Sequence, residues 1–517
     1  MARTFRVDLP SLLGLRYPDR DVYLVELLRF AQASGAQQVR IVPADLNKGY
    51  FTLTHDGEGR VPDGRLPDDG LLAGLLASDN VTQLSGDGTR WVGRISGTHM
   101  MTPAPATKPD PDLPAETVIT LRRRRGETLL NSETVERLAR RYAEFSPISV
   151  EIAKPDGEFE TVNRRAPWMT EDSPSGDRLD VMEYGADLLG IEPLDCVPLT
   201  MPGGESFGVA YILPFTPAPR ETQRHQLYSD GLLLDDSGAD MLPGWAFFAR
   251  CVIDLGRLPT DRAAVREETG QALRTWLLLL SARQPQRLSR FVAVHHMALK
   301  AHAVHDRELA GIITRWLPFE TSAGRLTITE LLGRTRHIRY SPNRDAFRQL
   351  APIAGRSKPF LNAGYLYDVE LLAQLPELYE DVTVECLKVS DVLADMDEPP
   401  LAERSSHFRL LDVAAEALTE TQCATVMKSF EPANLPAIYV DNPATLCLNH
   451  RSPIIAHLAR LTDQTVLSRT VQLLYAQARL HSHSPLRGTD SDLLSRALLD
   501  LVGLAALEED LNGLDHV

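Results

Sequence analysis

Segments with the 3.6-residue period of a helix and segments with the two-residue period of a strand alternate along the whole chain, and a chain so patterned reads as a mixed α/β protein. The first segment predicts a strand at Thr4–Asp8 and an amphipathic helix from about Asp19 to Ser34, capped by Asp19 or Asp21, with Val22, Tyr23, Leu27 and Phe30 on one face. Gln38–Val42 and Tyr50–Thr54 read as strands, the second running into His55-Asp-Gly-Glu-Gly59. From there to Thr102 the sequence is Gly- and Asp-rich with weak periodicity, and the five prolines of Thr102–Pro114 read as a loop or linker. The pattern resumes with a strand at Thr117–Arg122 and a helix at Ser132–Phe145. Ile148–Ile152 and Glu158–Val162 then flank Pro155-Asp-Gly157, a hairpin signal.

From Pro167 onward, Phe207–Leu213, Gln226–Leu233 and Trp245–Ile253 read as strands, and Arg262–Ser281 and Arg287–Ala301 as helices. A further αβ pattern spans Asp345–Cys386, and the acidic Asp395–Glu403 marks a boundary. Arg451 to Leu507 reads as helical throughout, with one stripe of Leu467, Val471, Leu474 and Ala478 and another of Leu493, Leu494, Leu498, Leu501 and Leu504. Stripes this wide need a partner, within the chain or from a second copy.

At 517 residues about three domains are expected. A net charge of −16 argues against an electrostatic grip on nucleic acid or on an anionic membrane. No run of about 20 apolar residues is present, so no spanning helix is expected. The N-terminus carries no secretory h-region, and the five cysteines form no Cys-x-x-Cys pair, so a cytoplasmic location is expected.

Several motifs invite a sharper chemistry. Gly204-Glu-Ser-Phe-Gly208 has the spacing of a nucleophile elbow, but that motif needs a helix after the serine and Val209–Leu213 has a strand pattern. His295-His296 and His481-Ser-His483 lack acidic or cysteine partners for a metal, and such neighbours point to different faces of a helix. Arg122–Arg125 reads as a local patch paired with nearby acids.

Four stretches in order resemble the heat-shock-protein ninety chaperones, the HtpG-like family of the GHKL ATPase fold. Tyr17–Leu28 resembles the helix that supplies the family's catalytic Glu, and Thr117–Leu121 with Val135–Val150 resembles the end of its nucleotide domain. Gln226–Leu234 and Leu242–Asp254 resemble its middle domain. Leu446-Cys-Leu-Asn449 with Val471–Ala478 is similar to its C-terminal dimerisation domain.

The resemblance implies a GHKL-type α/β sandwich over residues 1–165, an α/β middle domain over 166–395 and a mostly helical C-terminal dimerisation domain over 396–517. It implies a homodimer that binds client proteins, and ATP with magnesium as the family's ligands. Glu26 then matches the general base, Gly57 and Gly59 the glycines of the Asp-x-Gly-x-Gly turn, and Thr117 the threonine lining the adenine pocket. The magnesium Asn position falls on Phe30, which offers a metal no oxygen. The adenine Asp falls on His55, with Asp56 one place later. The phosphate lid is not recognisable; Gly86-Asp-Gly88 and Gly93–Gly97 lie in a shortened segment. The γ-phosphate Arg position is Ala263, with Arg262 and Arg266 out of register. Each lost charge-assisted contact costs about 1.5–3 kcal/mol, against the roughly 8 kcal/mol of a micromolar site. The expectation is therefore a chaperone whose ATP binding and hydrolysis are weakened or lost. The alternatives are a pseudo-ATPase scaffold for one dedicated partner, or an active ATPase rebuilt around Asp56, Glu26 and Arg262 or Arg266.

Overall fold

A computed structural model describes residues 3–5, 9–17, 19–58, 69–86, 89–96, 99–102, 116–169, 176–204, 206–218, 224–238, 240–257, 262–354, 358–400, 404–482 and 484–514. The chain is a mixed α/β protein and divides into two compact units, residues 1–279 and 280–517.

The first unit begins β1 (Arg3–Phe5), α1 (Leu9–Arg16), α2 (Tyr23–Ala33), β2 (Gln38–Val42), β3 (Tyr50–His55), α3 (Asp69–Ala77), β4 (Ser78–Leu84), β5 (Arg90–Ser96), β6 (His99–Thr102) and β7 (Thr117–Arg123). It continues with α4 (Ser132–Tyr142), β8 (Ser149–Ala153) and β9 (Phe159–Thr161). Among the described residues these strands form one sheet of order β1-β6-β5-β4-β7-β3-β2-β8-β9, antiparallel except for the parallel β2–β8 pair. Strand alternation settles its faces: Phe51, Leu53 and His55 of β3 are buried, as are Thr117, Ile119 and Leu121 of β7. The buried face meets α2, through Tyr23 against Phe51, and α3, where Gly74 lies against Leu121 and Val81. Asp19 accepts the Asp21 N–H and caps a short 3₁₀ turn, Arg20–Val22, that leads into α2. The Pro155-Asp-Gly157 signal is realised as the β8–β9 hairpin, with Gly157 at φ +88.

The unit continues with α5 (Gly176–Leu189), β10 (Asp195–Thr200), β11 (Ser206–Ile212), β12 (His225–Ser229), β13 (Leu232–Gly238), β14 (Ala249–Asp254) and α6 (Arg262–Arg283), whose last residues lie past the division. The second sheet has the order β10-β11-β14-β12-β13, with β12 and β14 parallel. One buried core draws on residues of both sheets, from Leu13 to Val252. It includes an aromatic cluster in which Phe145 meets Trp168, Tyr184 and Tyr228.

The second unit opens with α7 (Pro285–Ala303) and α8 (Arg307–Ile313). Then come β15 (Pro318–Thr321), β16 (Gly324–Thr327), α9 (Ile328–Leu332), β17 (His337–Ser341), α10 (Arg344–Leu350), β18 (Phe360–Asn362), α11 (Asp368–Leu378), β19 (Thr383–Cys386) and α12 (Val389–Asp395). These strands order as β16-β15-β18-β17-β19. Lys300 of α7 reaches Asp368 of α11 at 2.5 Å, both buried, with its ammonium over the Phe319 ring. The rest is α13 (Arg404–Ala417), β20 (Ala424–Lys428), β21 (Ala437–Asp441), β22 (Ala444–Asn449), α14 (Pro453–Leu458), α15 (Gln464–His481) and α16 (Gly488–Leu514), with the sheet order β20-β22-β21. Asn449 is fully buried. Its amide donates to the carbonyls of Phe430 and Leu435 and its oxygen accepts from the N–H groups of Phe430 and Arg451, which fixes the loop before β21.

Four sequence expectations are corrected. Gln226–Leu233 is not one strand but parts of β12 and β13, turned at Asp230-Gly231. Trp245–Ile253 opens with a 3₁₀ turn, Gly244–Ala246, and its strand begins at Ala249. The weakly periodic stretch before Thr102 holds α3, β4, β5 and β6. Arg451–Leu507 is three separate helices. Of the Thr4–Asp8 strand, residues 6–8 lie outside the described residues.

Candidate functional site

The residues matched to a nucleotide site come from three separated segments. Glu26 and Phe30 sit one turn apart on α2, His55–Gly57 end β3, and Thr117 begins β7. Four of them meet. His55 pairs directly across the sheet with Thr117, the Thr117 hydroxyl donates to the Gly57 carbonyl at 3.1 Å, and the Phe30 ring meets the His55 ring edge-on at 5.9 Å. Gly59 lies outside the described residues.

The chemistry at this meeting point is that of a core. Phe30 is buried, and α3 is seated directly on it: a Cβ on Gly70 would lie 2.6 Å from Phe30 Cβ and 2.7 Å from the Glu26 carbonyl. Glu26 is half-buried and paired with Arg29 at 2.6 Å on the same helix. His55 is 1% exposed; its Nδ1 accepts the Gly57 N–H at 3.2 Å and its Nε2 is buried with no hydrogen-bond partner among the described residues. Burial pulls its pKa down to about 4, so at neutral pH the ring carries no charge. With Nδ1 acting as acceptor, the proton sits on Nε2. A buried donor therefore stands where the resemblance expects a carboxylate acceptor.

Asp56 is exposed and turned elsewhere. One of its oxygens accepts the N–H groups of Gln37 and Gln38 at 2.7 and 3.0 Å, which holds the carboxyl below the usual range. The turn is thereby zipped onto the end of α2, where Glu58 N–H also bonds the Ser34 carbonyl. Gly57 is needed for that closure: a Cβ there would lie 2.5 Å from the Ser34 carbonyl oxygen and 2.7 Å from the Ala36 nitrogen. Gly57→Ala is accordingly expected to cost about 1–3 kcal/mol. The shift should show as earlier hydrogen exchange in β2 and β3; exchange identical to the parent would overturn the closure.

The lid region differs in kind. α3 runs directly into β4, Gly86 follows β4, and Gly93 lies within β5 with its Cα against the Trp91 ring, while residues 87, 88 and 97 lie outside the described residues. Arg262, Ala263 and Arg266 lie exposed on the first turns of α6, and residues 258–261 fall outside the described residues.

No family model matches the chain, and no curated protein matches it.

The remaining motifs are structural. Ser206 opens β11, so a strand follows it, and its hydroxyl contacts the Trp168 carbonyl at 3.3 Å. His295 is buried against Phe291, whereas His296 reaches back to the Ala293 carbonyl; His483 lies outside the described residues. Among the described residues no three His, Cys, Asp or Glu side chains form a metal-binding group. Arg124 of the basic run bonds Asp79 and the carbonyls ending α3. No described helix is long and apolar enough to cross a membrane. Sequence reasoning missed α3, and with it the element that is seated on Phe30. The available signal was Gly70 and Gly74 at i and i+4 among leucines, a spacing that allows close helix approach.

Proposed function

We propose that the chain is an HtpG-like molecular chaperone of the heat-shock-protein ninety type, a homodimer that binds non-native client proteins with ATP binding and hydrolysis weakened or lost. The observation that carries this reading is the convergence of Phe30, His55, Gly57 and Thr117 at one end of the first sheet. Positions that the resemblance assigns to one site meet, although they are up to 87 residues apart in the chain (117 − 30). Helices laid on one face of a mixed sheet likewise support a GHKL-type sandwich. A buried aromatic ring at the metal position, a neutral imidazole at the adenine position and an Asp56 engaged by backbone amides support the loss of nucleotide chemistry. For the homodimer, support comes from α16, which exposes Leu498, Leu499 and Val502 at 49%, 73% and 67%.

The test is suppression of aggregation of a heat-denatured client protein, with and without ATP and magnesium, alongside calorimetric titration with ATP. The expected result is suppression that ATP does not change, and no binding heat at about 1 mM ATP. Failure to slow aggregation of several unrelated clients would replace the chaperone with a scaffold for a dedicated partner. Magnesium-dependent turnover lost in Glu26→Ala would restore the ATPase.

A further inference from the structure

The first unit contains a cavity of about 70 Å³ that the nucleotide-type site does not use, walled by Phe145, Trp168 and Tyr228 and by Asp230, Gly231 and Asp254. It is too small for a nucleotide. Its construction is specific. Gly231, at φ +74 in the β12–β13 turn, comes so close to the Phe145 carbonyl that a Cβ would lie 2.1 Å from the oxygen. That approach carries the turn, with Asp230 at φ +51, to the edge of the aromatic cluster. Phe145 meets Trp168 and Tyr228 at ring separations of 4.8 and 5.0 Å. Asp254 is fixed by the N–H groups of Gly231 and Gly256 at 2.9 and 3.1 Å. No lysine, arginine or histidine lines the cavity among the described residues.

We infer that this cavity binds a small organic cation, an alkylammonium head group. Two carboxylates and three aromatic rings line the space, and a carboxylate or an aromatic face attracts a cation the more strongly where water is partly excluded. An anion would meet two carboxylates. A neutral apolar occupant would cover the exposed Asp230 carboxylate and give it no opposite charge. Two sources offer that chemistry, a free quaternary amine such as choline or the side chain of a lysine. The inference is independent of the chaperone reading.

The test is a titration of the full chain with choline, with N-acetyl-lysine amide and its trimethyl form, and with 3,3-dimethylbutanol, the neutral isostere of choline. The readout is the indole N–H resonance assigned to Trp168. The cations are expected to shift that resonance at about 10 mM or below, and the isostere to bind about tenfold more weakly. Asp230→Asn, at an exposed position, and Trp168→Leu should each weaken cation binding by about tenfold. Tighter binding of a lysine form than of choline marks a protein side chain as the source; the reverse marks a free amine. Equal binding of the neutral isostere, or unchanged cation binding in Asp230→Asn, would overturn the inference even if Trp168→Leu fails to fold.

Discussion

Asp490→Ala is expected to destabilise the C-terminal helices by about 3–5 kcal/mol, because it strands a buried guanidinium. Arg479 of α15 and Asp490 in the first turn of α16 are 3% and 2% exposed and pair at 2.9 Å. Asp490 also accepts the Tyr475 hydroxyl at 3.1 Å and the Arg487 N–H at 2.8 Å. Arg479 in turn donates to the Pro485 carbonyl and stacks over the Tyr439 ring at 4.9 Å. With the carboxylate gone, Arg479 keeps its charge and its burial, and loses the group that neutralised it. The paired change Arg479→Met with Asp490→Leu removes both charges, and is expected to recover most of the loss. Hydrogen exchange along α16 reads the local effect, and sedimentation reads its consequence. If α16 presents the dimer contact through Leu498, Leu499 and Val502, Asp490→Ala also weakens self-association, and the double variant restores it. Exchange protection of α16 unchanged in Asp490→Ala would show that the ion pair does not hold that helix.

How much of this was legible depended on whether burial was one-sided. α4 shows Val135, Leu138, Ala139 and Tyr142 on one buried face and charged residues on the other, so its period was plain. Every residue from Gly70 to Ala77 of α3 is buried, and a helix apolar all round leaves no stripe to read. Because α3 was not seen, neither was its seating on Phe30. The β12–β13 hairpin was hidden differently. Apolar residues stand on both sides of Ser229-Asp-Gly231, Leu227 and Tyr228 before it and Leu232–Leu234 after it, and reading them as one strand passed over a turn signal that was present. The α15 stripe of Leu467, Val471, Leu474 and Ala478 finds its partner within the chain, beside Leu410, Leu446 and Leu448. Of the α16 stripe, Leu493 is buried and Leu498 is not, so the helical period alone did not tell an internal contact from an external one.

The candidate site was legible by position but not by chemistry. The resemblance brought His55 and Thr117 into one expectation, and cross-strand register pairs them. The direction of the Asp56 carboxylate depends on the backbone of Gln37 and Gln38, which no local pattern reports. A one-residue difference at a strand end moves a side chain from one face of the sheet to the other. His55 and Asp56 therefore divide what one carboxylate would have done: the residue facing the core is uncharged at neutral pH, and the residue that holds a charge faces away.

That division has a measurable cost in acid, and it is shared by a second histidine. His225 of β12 is 2% exposed, and its Nδ1 accepts the Cys251 N–H at 3.1 Å. Burial first, and the Arg250 charge second, bring its pKa to about 4, as burial does for His55. In both cases the folded value lies below the ordinary 6.5, so the unfolded chain binds the proton more readily. Stability from this source is complete above about pH 6.5, falls as pH drops toward 4, and changes no further once both states are protonated. The full loss is about 3 kcal/mol for each histidine, with about 2 kcal/mol of it gone by pH 5, before most carboxylates titrate. Hydrogen exchange of β3 and β12 between pH 7.5 and 5, corrected for intrinsic rates, follows the two strands separately. His55→Gln should flatten the dependence in β3, and His225→Gln in β12, each in proportion to the proton it no longer takes up. Dependences equally steep in the variants would mean that other groups set the acid response and that both rings sit in less restrictive surroundings than their burial implies.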